Sequence, residues 1–508
     1  MNRNYFHVIN FCKHANTVFI LIVALYFLLI PGLTIISHLS DRNLQQSGIP
    51  RMAWNLFRDL TPRYERWARE RVASQKAVAL STSNIAGTEW PLFGSVFYLW
   101  AVESLQEAWD ENHALSPVEP REYARKAIEA ATELVIDPNH AAWVKIHWGE
   151  DYLHQENVFY RMLLIAAMTS HSRLLGSTNH VPMLRDQVES LTKELDESTY
   201  GILNDYPFEC YPTDVLMAVA CIRRADLVLG TDHTSFAQRA IRGFQEGLLD
   251  RRGLPPYGAD TISGEAFEPS RGCGLSYACI GAPALWPEVA KNWYTLYEKY
   301  FWQDKGGLSG FREFPNDLQG NDWYIDVDAG PVMGGIGISA SAFGVAASRI
   351  NGRFDHAYPL AAEMVTSSWP LPDGALLLPR LLSNAAHAPF LGEACILFNL
   401  TRQPAPGFEV RTGGGIPPIV YAALALYLGV GLLYSIATIR DLQRWRNRKT
   451  EPDFPMAGMQ IGLWVLSVLT ALVLLISYGP TVSMLPLLFA QLLPRGLRPK
   501  QSCFVEGP

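Results

Sequence analysis

The chain has 508 residues, of which 49% are hydrophobic and 18% charged, and its formal net charge is −7. That length holds one large domain or a few ordinary ones. The mild acidity leaves no basic footprint for a nucleic-acid partner.

In chain order, residues 1–16 carry Arg3 and Lys13 and are expected to be a cytoplasmic N-terminus. Residues 17–36, "TVFILIVALYFLLIPGLTII", hold no charge and match the roughly 20 apolar residues that span a bilayer. The run exceeds a signal-peptide core of roughly 7–15 residues, and "SHLSDRN" after it offers no small-x-small cleavage site. A retained anchor over 17–38 is therefore expected. Further spans are expected over 416–439 and 459–479, separated by a basic stretch (440–458) with Arg440, Arg444, Arg446, Arg448 and Lys449. The positive-inside rule makes that stretch cytoplasmic, and parity then puts 39–414 outside. This gives a multi-pass protein of a bacterial-type inner membrane, with its large domain on the periplasmic side and the lipid bilayer as partner. Residues 480–508 read as an interfacial or re-entrant tail.

Between the spans, strand signals are nearly absent and twelve helices are expected: 51–74, 90–112, 119–134, 154–176, 183–197, 212–229, 233–249, 270–282, 286–302, 331–350, 354–368 and 384–401. They alternate in kind. "REYARKAIEAATELV" and "SFAQRAIRGFQEGLLD" pair an apolar stripe with a charged face, whereas "VFYRMLLIAAMTS" and "PVMGGIGISASAFGVAAS" are apolar or small all round. A helix apolar on every side is buried. Six exposed helices alternating with six buried ones fit an all-α fold, an (α/α)6 toroid or six-hairpin barrel with flanking transmembrane helices. An irregular solenoid is the other arrangement, but no repeat is visible.

The loops leading into the buried helices share a composition: "NIAGTEWPLFG", "KIHWGEDYLHQENVFY", "NDYPFECYPTD", "PYGADTISGEAFEPSRGCG", "NDWYIDVDAGP" and "SNAAHAPFLGE". Each mixes polar groups with aromatics, Pro or Gly, as a small-molecule pocket requires. In a toroid all six open on one end. Capping accounts for some of these polar residues, Asp214 and Asn384 among them. It does not account for Trp148, Tyr211, Tyr257, Trp323 and Tyr324 beside the acids.

At "ENVFYRMLLIAAM" (156–168) and "ECYPTDVLMAVAC" (209–221) the chain resembles the linalool dehydratase/isomerase family, a helical-toroid group. Asn157 and Tyr160 match the family's Asn-x-x-Tyr element. Cys210, Pro212 and Asp214 match its Cys-x-Pro-x-(acid or amide) element. The likeness extends over roughly 50–400, with only these short patterns specific. Arg161, Met162 and Leu163 occupy the turn that carries a reactive His in the family. Tyr211 stands where a Glu follows the first Cys, with Glu209 before it, and Cys221 is half a turn from the second Cys position. The resemblance implies acid/base lyase or isomerase chemistry on an alcohol or lipid-like substrate, without a cofactor.

Dehydration, isomerisation and glycan cleavage all need an acid and a base across the substrate. The candidate catalytic residues are Glu156, Asp326, Asp328, Cys210, Glu89 and His154. Asn157, Tyr160, Trp148, Tyr211, Asp214, Tyr257, Glu265, Trp323 and Tyr324 are candidates for substrate binding. Asp326 and Asp328 alternate in an extended loop, which would point both carboxylates one way and raise one pKa. Cys210 would serve if a helix start lowered its pKa. The seven cysteines show no metal-finger spacing, so no structural zinc is expected, and Cys210–Cys221 or Cys273–Cys279 disulfides are alternatives in an oxidising compartment. Ca²⁺ at Asp326 and Asp328 is the alternative to acid catalysis, but the loop holds too few oxygen ligands for an EF-hand, so no metal is expected there. An envelope glycan hydrolase or lyase, and a non-catalytic glycan- or lipid-binding protein, are the competing functions.

Overall fold

The computed structural model describes residues 17–447 other than 82, 247–248, 319 and 321, together with 466–467 and 469–470. The expected N-terminal segment, the third span and the tail thus lie outside the described residues, apart from those few positions. The chain divides into two compact units, Met1–Leu33 with Leu424–Pro508 and Thr34–Ala423.

Two helices, α1 (Thr17–Leu39) and a C-terminal one over Pro418–Arg440, are long and apolar enough to cross a membrane. Each contains one turn of π-helix, Leu25–Leu29 and Leu426–Val430, and within the first unit these turns touch. Glycines permit the approach. A Cβ on Gly32 would meet Leu428 at 2.7 Å, and one on Gly431 would meet Leu29 at 2.8 Å.

The second unit is mostly helical. Its longer helices are α2 (Arg51–Ser74), α3 (Trp90–Glu111), α4 (Pro120–Ile136), α5 (Val158–Leu175), α6 (Val181–Glu197), α7 (Pro212–Leu229), α8 (Thr234–Glu246), α9 (Gly272–Leu285), α10 (Pro287–Phe301), α11 (Ile338–Ile350), α12 (Phe354–Ser367), α13 (Leu377–Ala385) and α14 (Leu391–Thr401). Proline in the first turn starts α4, α6, α7 and α10, where a missing N–H costs nothing. Left-handed Gly176 and Gly230 end α5 and α7.

The expected alternation of character sorts the helices in space. Helix α5 leaves only Phe159, Arg173 and Leu175 partly open. By contrast α4 buries a stripe including Ala124, Ile128, Ala131 and Val135 and turns its charges outward. The six apolar helices touch in succession: α3 packs on α5, α5 on α7, α7 on α9, α9 on α11, α11 on α14 and α14 on α3. The amphipathic helices lie against these, with α4 on both α3 and α5, α10 on α9, and α12 on α11.

Three small antiparallel sheets depart from the expected absence of strands: β1 (Gly258–Ala259) with β2 (Ala266–Glu268), β3 (Trp302–Lys305) with β4 (Leu308–Phe311), and β5 (Trp323–Asp326) with β6 (Gly330–Met333) and β7 (Ile336–Gly337). Strands of two to four residues are too short to display a period in the sequence. Residues 331–337, expected to begin a helix, are strand, turn and strand instead. Asp326 pairs with Gly330 and Trp323 with Met333, and left-handed Gly334–Gly335 form the turn into β7. The helix starts only at Ile338. The helix expected over 384–401 is likewise two, α13 and α14, broken where His387 and Phe390 take left-handed backbone.

Candidate active site

The N-terminal ends of the apolar helices bring together acids and tyrosines from four segments. Glu89 directly precedes α3 and is buried. Its Oε1 accepts the hydroxyl proton of Tyr206, which reaches it from the turn before α7. Burial pushes the Glu89 carboxyl up to about 8 despite that hydrogen bond, and the charges of Asp328 and Asp214 add to the shift. Glu89 therefore holds its proton at neutral pH.

Asp214 lies in the first turn of α7 and is half-buried. It was expected as a cap, but the cap position is Tyr211, and the Asp214 carboxylate has no hydrogen-bond or ion-pair partner among the described residues. Asn384 is no cap either, since it lies at the end of α13. Crowding by protein raises Asp214 to about 7, with Asp328 contributing. The neighbouring Asp205 is buried and receives the Phe159 N–H at 2.8 Å and the Tyr211 N–H at 2.9 Å, so it fixes the start of α5 and the approach to α7 together. Burial and Asp214 also push its carboxyl upward.

Asp328 comes from the β5–β6 turn. Its Oδ2 accepts the Tyr257 hydroxyl at 2.7 Å, and the surrounding protein raises its pKa although the residue is exposed. Asp326, two residues earlier, has the opposite fate. It faces Arg271 at 2.6 Å and accepts the Ala329 N–H, also at 2.6 Å. Burial would raise it, but these two contacts outweigh burial and hold it below the usual carboxylate range. Both carboxyls thus lie at the stacked Arg271–Tyr257 pair, Asp326 on the guanidinium and Asp328 on the phenol, and of the two it is Asp328 that is raised, burial first and the Asp326 charge adding to it. Arg271 is the organiser. It pairs with Glu268, Glu313 and Asp326 and lies 4.4 Å over the Tyr257 ring. Gly272 lets this happen, since a Cβ there would strike the Arg312 carbonyl, and its N–H reaches Glu313 O at 2.7 Å.

Below the acids, rings from four apolar helices meet. Phe93 (α3) is 5.6 Å from Phe159 (α5), 5.5 Å from Tyr277 (α9) and 6.3 Å from Phe343 (α11). Phe93, Phe159 and Phe343 are only half-buried although they lie inside the helix ring. They thus form the floor of a recess that solvent reaches. The Tyr277 hydroxyl is buried without a hydrogen-bond partner among the described residues, and the Asp214 charge acts on it.

No family model matches this chain, and no curated protein matches it in sequence. The site therefore rests on its own geometry.

That geometry gathers Glu89, Asp214, Tyr257 and Asp328, with Tyr211 stacked edge-on against Tyr257 at 5.3 Å. Other expected site residues have structural employment. Glu156 accepts the Asn204 N–H at 2.6 Å, Trp148 donates to Asp205 O at 3.3 Å, and Tyr160 donates away from the recess to Val135 O at 3.3 Å. Asn157 takes left-handed backbone before α5 and donates to Tyr152 O. His154 is exposed between Asp151 and Asp186, which raise its pKa. Glu265 is exposed beside β2, and Trp323 is 77% exposed. Tyr324 lies 5.6 Å from Arg271. Cys210 is fully buried, and burial pushes its thiol up, so it is no activated thiolate. Cys210, Cys221, Cys273, Cys279 and Cys395 are all free thiols, so neither weighed disulfide is formed. Arg161, in the turn that the resemblance associates with a reactive His, is buried against α6, bonded to Gln187, Ser190 and Glu194.

Tyr206, Asp205, Arg271 and Tyr277 were not singled out from the sequence. The first three lie in the quoted loops, whose composition was the available signal. Tyr277 and the floor phenylalanines look like any core aromatic.

Proposed function

We propose that this recess is the active site of a lyase or isomerase, of the linalool dehydratase/isomerase kind, acting on an alcohol or lipid-like substrate. In this reading the paired helices form an (α/α)6 toroid, held on the periplasmic side of an inner membrane by α1 and the C-terminal apolar helix. The observation that carries it is the pairing of a proton-holding Glu89 with an unpartnered Asp214 above an aromatic floor. Two carboxyls at different pKa values divide the roles of acid and base.

Glu89 delivers its proton to the substrate hydroxyl. An O–H bond forms, the C–O bond breaks, and both its electrons leave with water. Asp214 takes a proton from the adjacent carbon, and the C–H electrons become the C=C bond. Tyr206 holds Glu89 in place, and Tyr257 orients Asp328 at the mouth. If instead the departed water attacks the other end of the allylic cation before Asp214 takes the C–H proton, a new C–O bond forms, the double bond shifts, and one water proton returns to Glu89, which gives the isomerised alcohol. The apolar floor favours a hydrocarbon over a sugar ring.

The test is turnover of a panel of allylic alcohols by the full-length protein in detergent, followed by gas chromatography. Wild type is expected to form alkene or isomerised alcohol, and Glu89→Gln and Asp214→Asn each to cut its rate by about 10²-fold or more. Turnover undiminished by both substitutions would remove this reading.

A further inference from the structure

The acids of the recess have almost no cation of their own. Among the described residues no Lys or Arg forms an ion pair with Glu89, Asp205, Asp214 or Asp328. The nearest guanidinium, Arg271, already serves Glu268, Glu313 and Asp326. Accumulating carboxylates without a counter-charge is costly in a crowded site, because each opposes the ionisation of the next.

Two independent features point to an occupant. The Tyr277 residue is nine-tenths buried, its hydroxyl has no hydrogen-bond partner among the described residues, its ring meets Phe93 and Phe343, and the Asp214 charge reaches it. Half-open rings of Phe93, Phe159 and Phe343 lie beside the acids, and aromatic faces attract organic cations. On the segments that carry Tyr206 and Asp328, Phe208 is 86% and Trp323 77% exposed, apolar groups suited to a hydrocarbon tail.

We propose that the occupant of the recess is an alkylammonium amphiphile, its amine between Asp214 and the Tyr277 hydroxyl and its tail along the apolar mouth. The inference rests on the reading above only in using the same recess as the substrate site, and it narrows the substrate to an amine-bearing one. A primary ammonium supplies the positive charge that Asp214 lacks and the donor that the Tyr277 oxygen lacks.

The experiment is calorimetric titration of the full-length protein in neutral detergent with hexylammonium, hexanol and hexanoate, which share a tail and differ in charge. Hexylammonium is expected to bind at least tenfold tighter than hexanol, with no binding of hexanoate. Asp214→Asn and Phe343→Leu should each weaken the ammonium tenfold or more without lowering the unfolding temperature. A loss confined to Phe343→Leu would reveal a merely apolar site and overturn the inference, as would equal binding of hexanol. Turnover of neutral alcohols with no preference for the amine would overturn this inference and leave the enzyme reading standing. Ammonium binding without turnover of any alcohol would do the reverse.

Discussion

At the N-terminal ends of the apolar helices Glu89, Asp205, Asp214 and Asp328 have no ion-pair partner among the described residues, whereas towards the C-terminal ends the buried charges are held, by an ion pair or by carbonyls. There Glu103 of α3 is buried between Arg173 of α5 and Arg224 of α7. Arg349 of α11, fully buried, donates to the carbonyls of Asn43, Gly48 and Arg402 and so ties the start of the domain to its end. Helix dipoles favour acids at the first end and arginines at the second. Dipoles do not explain why one set is paired and the other not. Pairing serves stability, and the unpaired end keeps protonation open to change.

The contrast can be broken in order of expected effect. Glu89→Gln preserves shape and removes the proton, so turnover should fall by about 10²–10⁴-fold. In wild type the same rate should decline as pH rises through about 8, where Glu89 ionises. A rate that keeps rising past that point would contradict the role. Glu103→Ala leaves two arginines facing a void, and should cost about 3 kcal/mol in denaturant unfolding.

Asp214→Asn should act in the opposite sense to Glu103→Ala. The folded carboxyl lies near 7, above its unfolded value. No penalty exists below pH 4; it grows as the unfolded chain alone ionises, and is complete above pH 7. The neutral variant should therefore be more stable than wild type at pH 8 by on the order of 1–2 kcal/mol, with no gain at pH 4. A gain equal at both pH values would show that charge is not its source. Smallest of all, His154→Ala removes only exposed ion pairs and should change stability by less than about 0.5 kcal/mol and turnover not at all.

Much of the helical order was legible because it depends on local pattern. Arg51–Ser74 and Pro212–Leu229 begin and end where Pro, Gly and the apolar period say they should. The start of α11 was not legible: Gly330–Met333 lies in a strand because β5 and β7 bind it on either side, and pairing partners leave no mark in a four-residue run. The site divides the same way. Glu89, Asp214, Tyr257 and Asp328 were visible as members of rim loops, yet so were Glu156 and Trp148, which hold the backbone instead.

The sequence alone determined that apolar helices alternate with amphipathic ones, that polar loops precede the apolar set, and that two segments are long and apolar enough for a bilayer. These follow from period and composition, which are properties of neighbours in the chain. Only the tertiary structure decided that Asp326 meets Arg271 while Asp328 meets Tyr257, and that Asp214 has no hydrogen-bond or ion-pair partner among the described residues. Whether a carboxylate keeps its charge depends on groups brought to it from distant segments, and no local pattern encodes them.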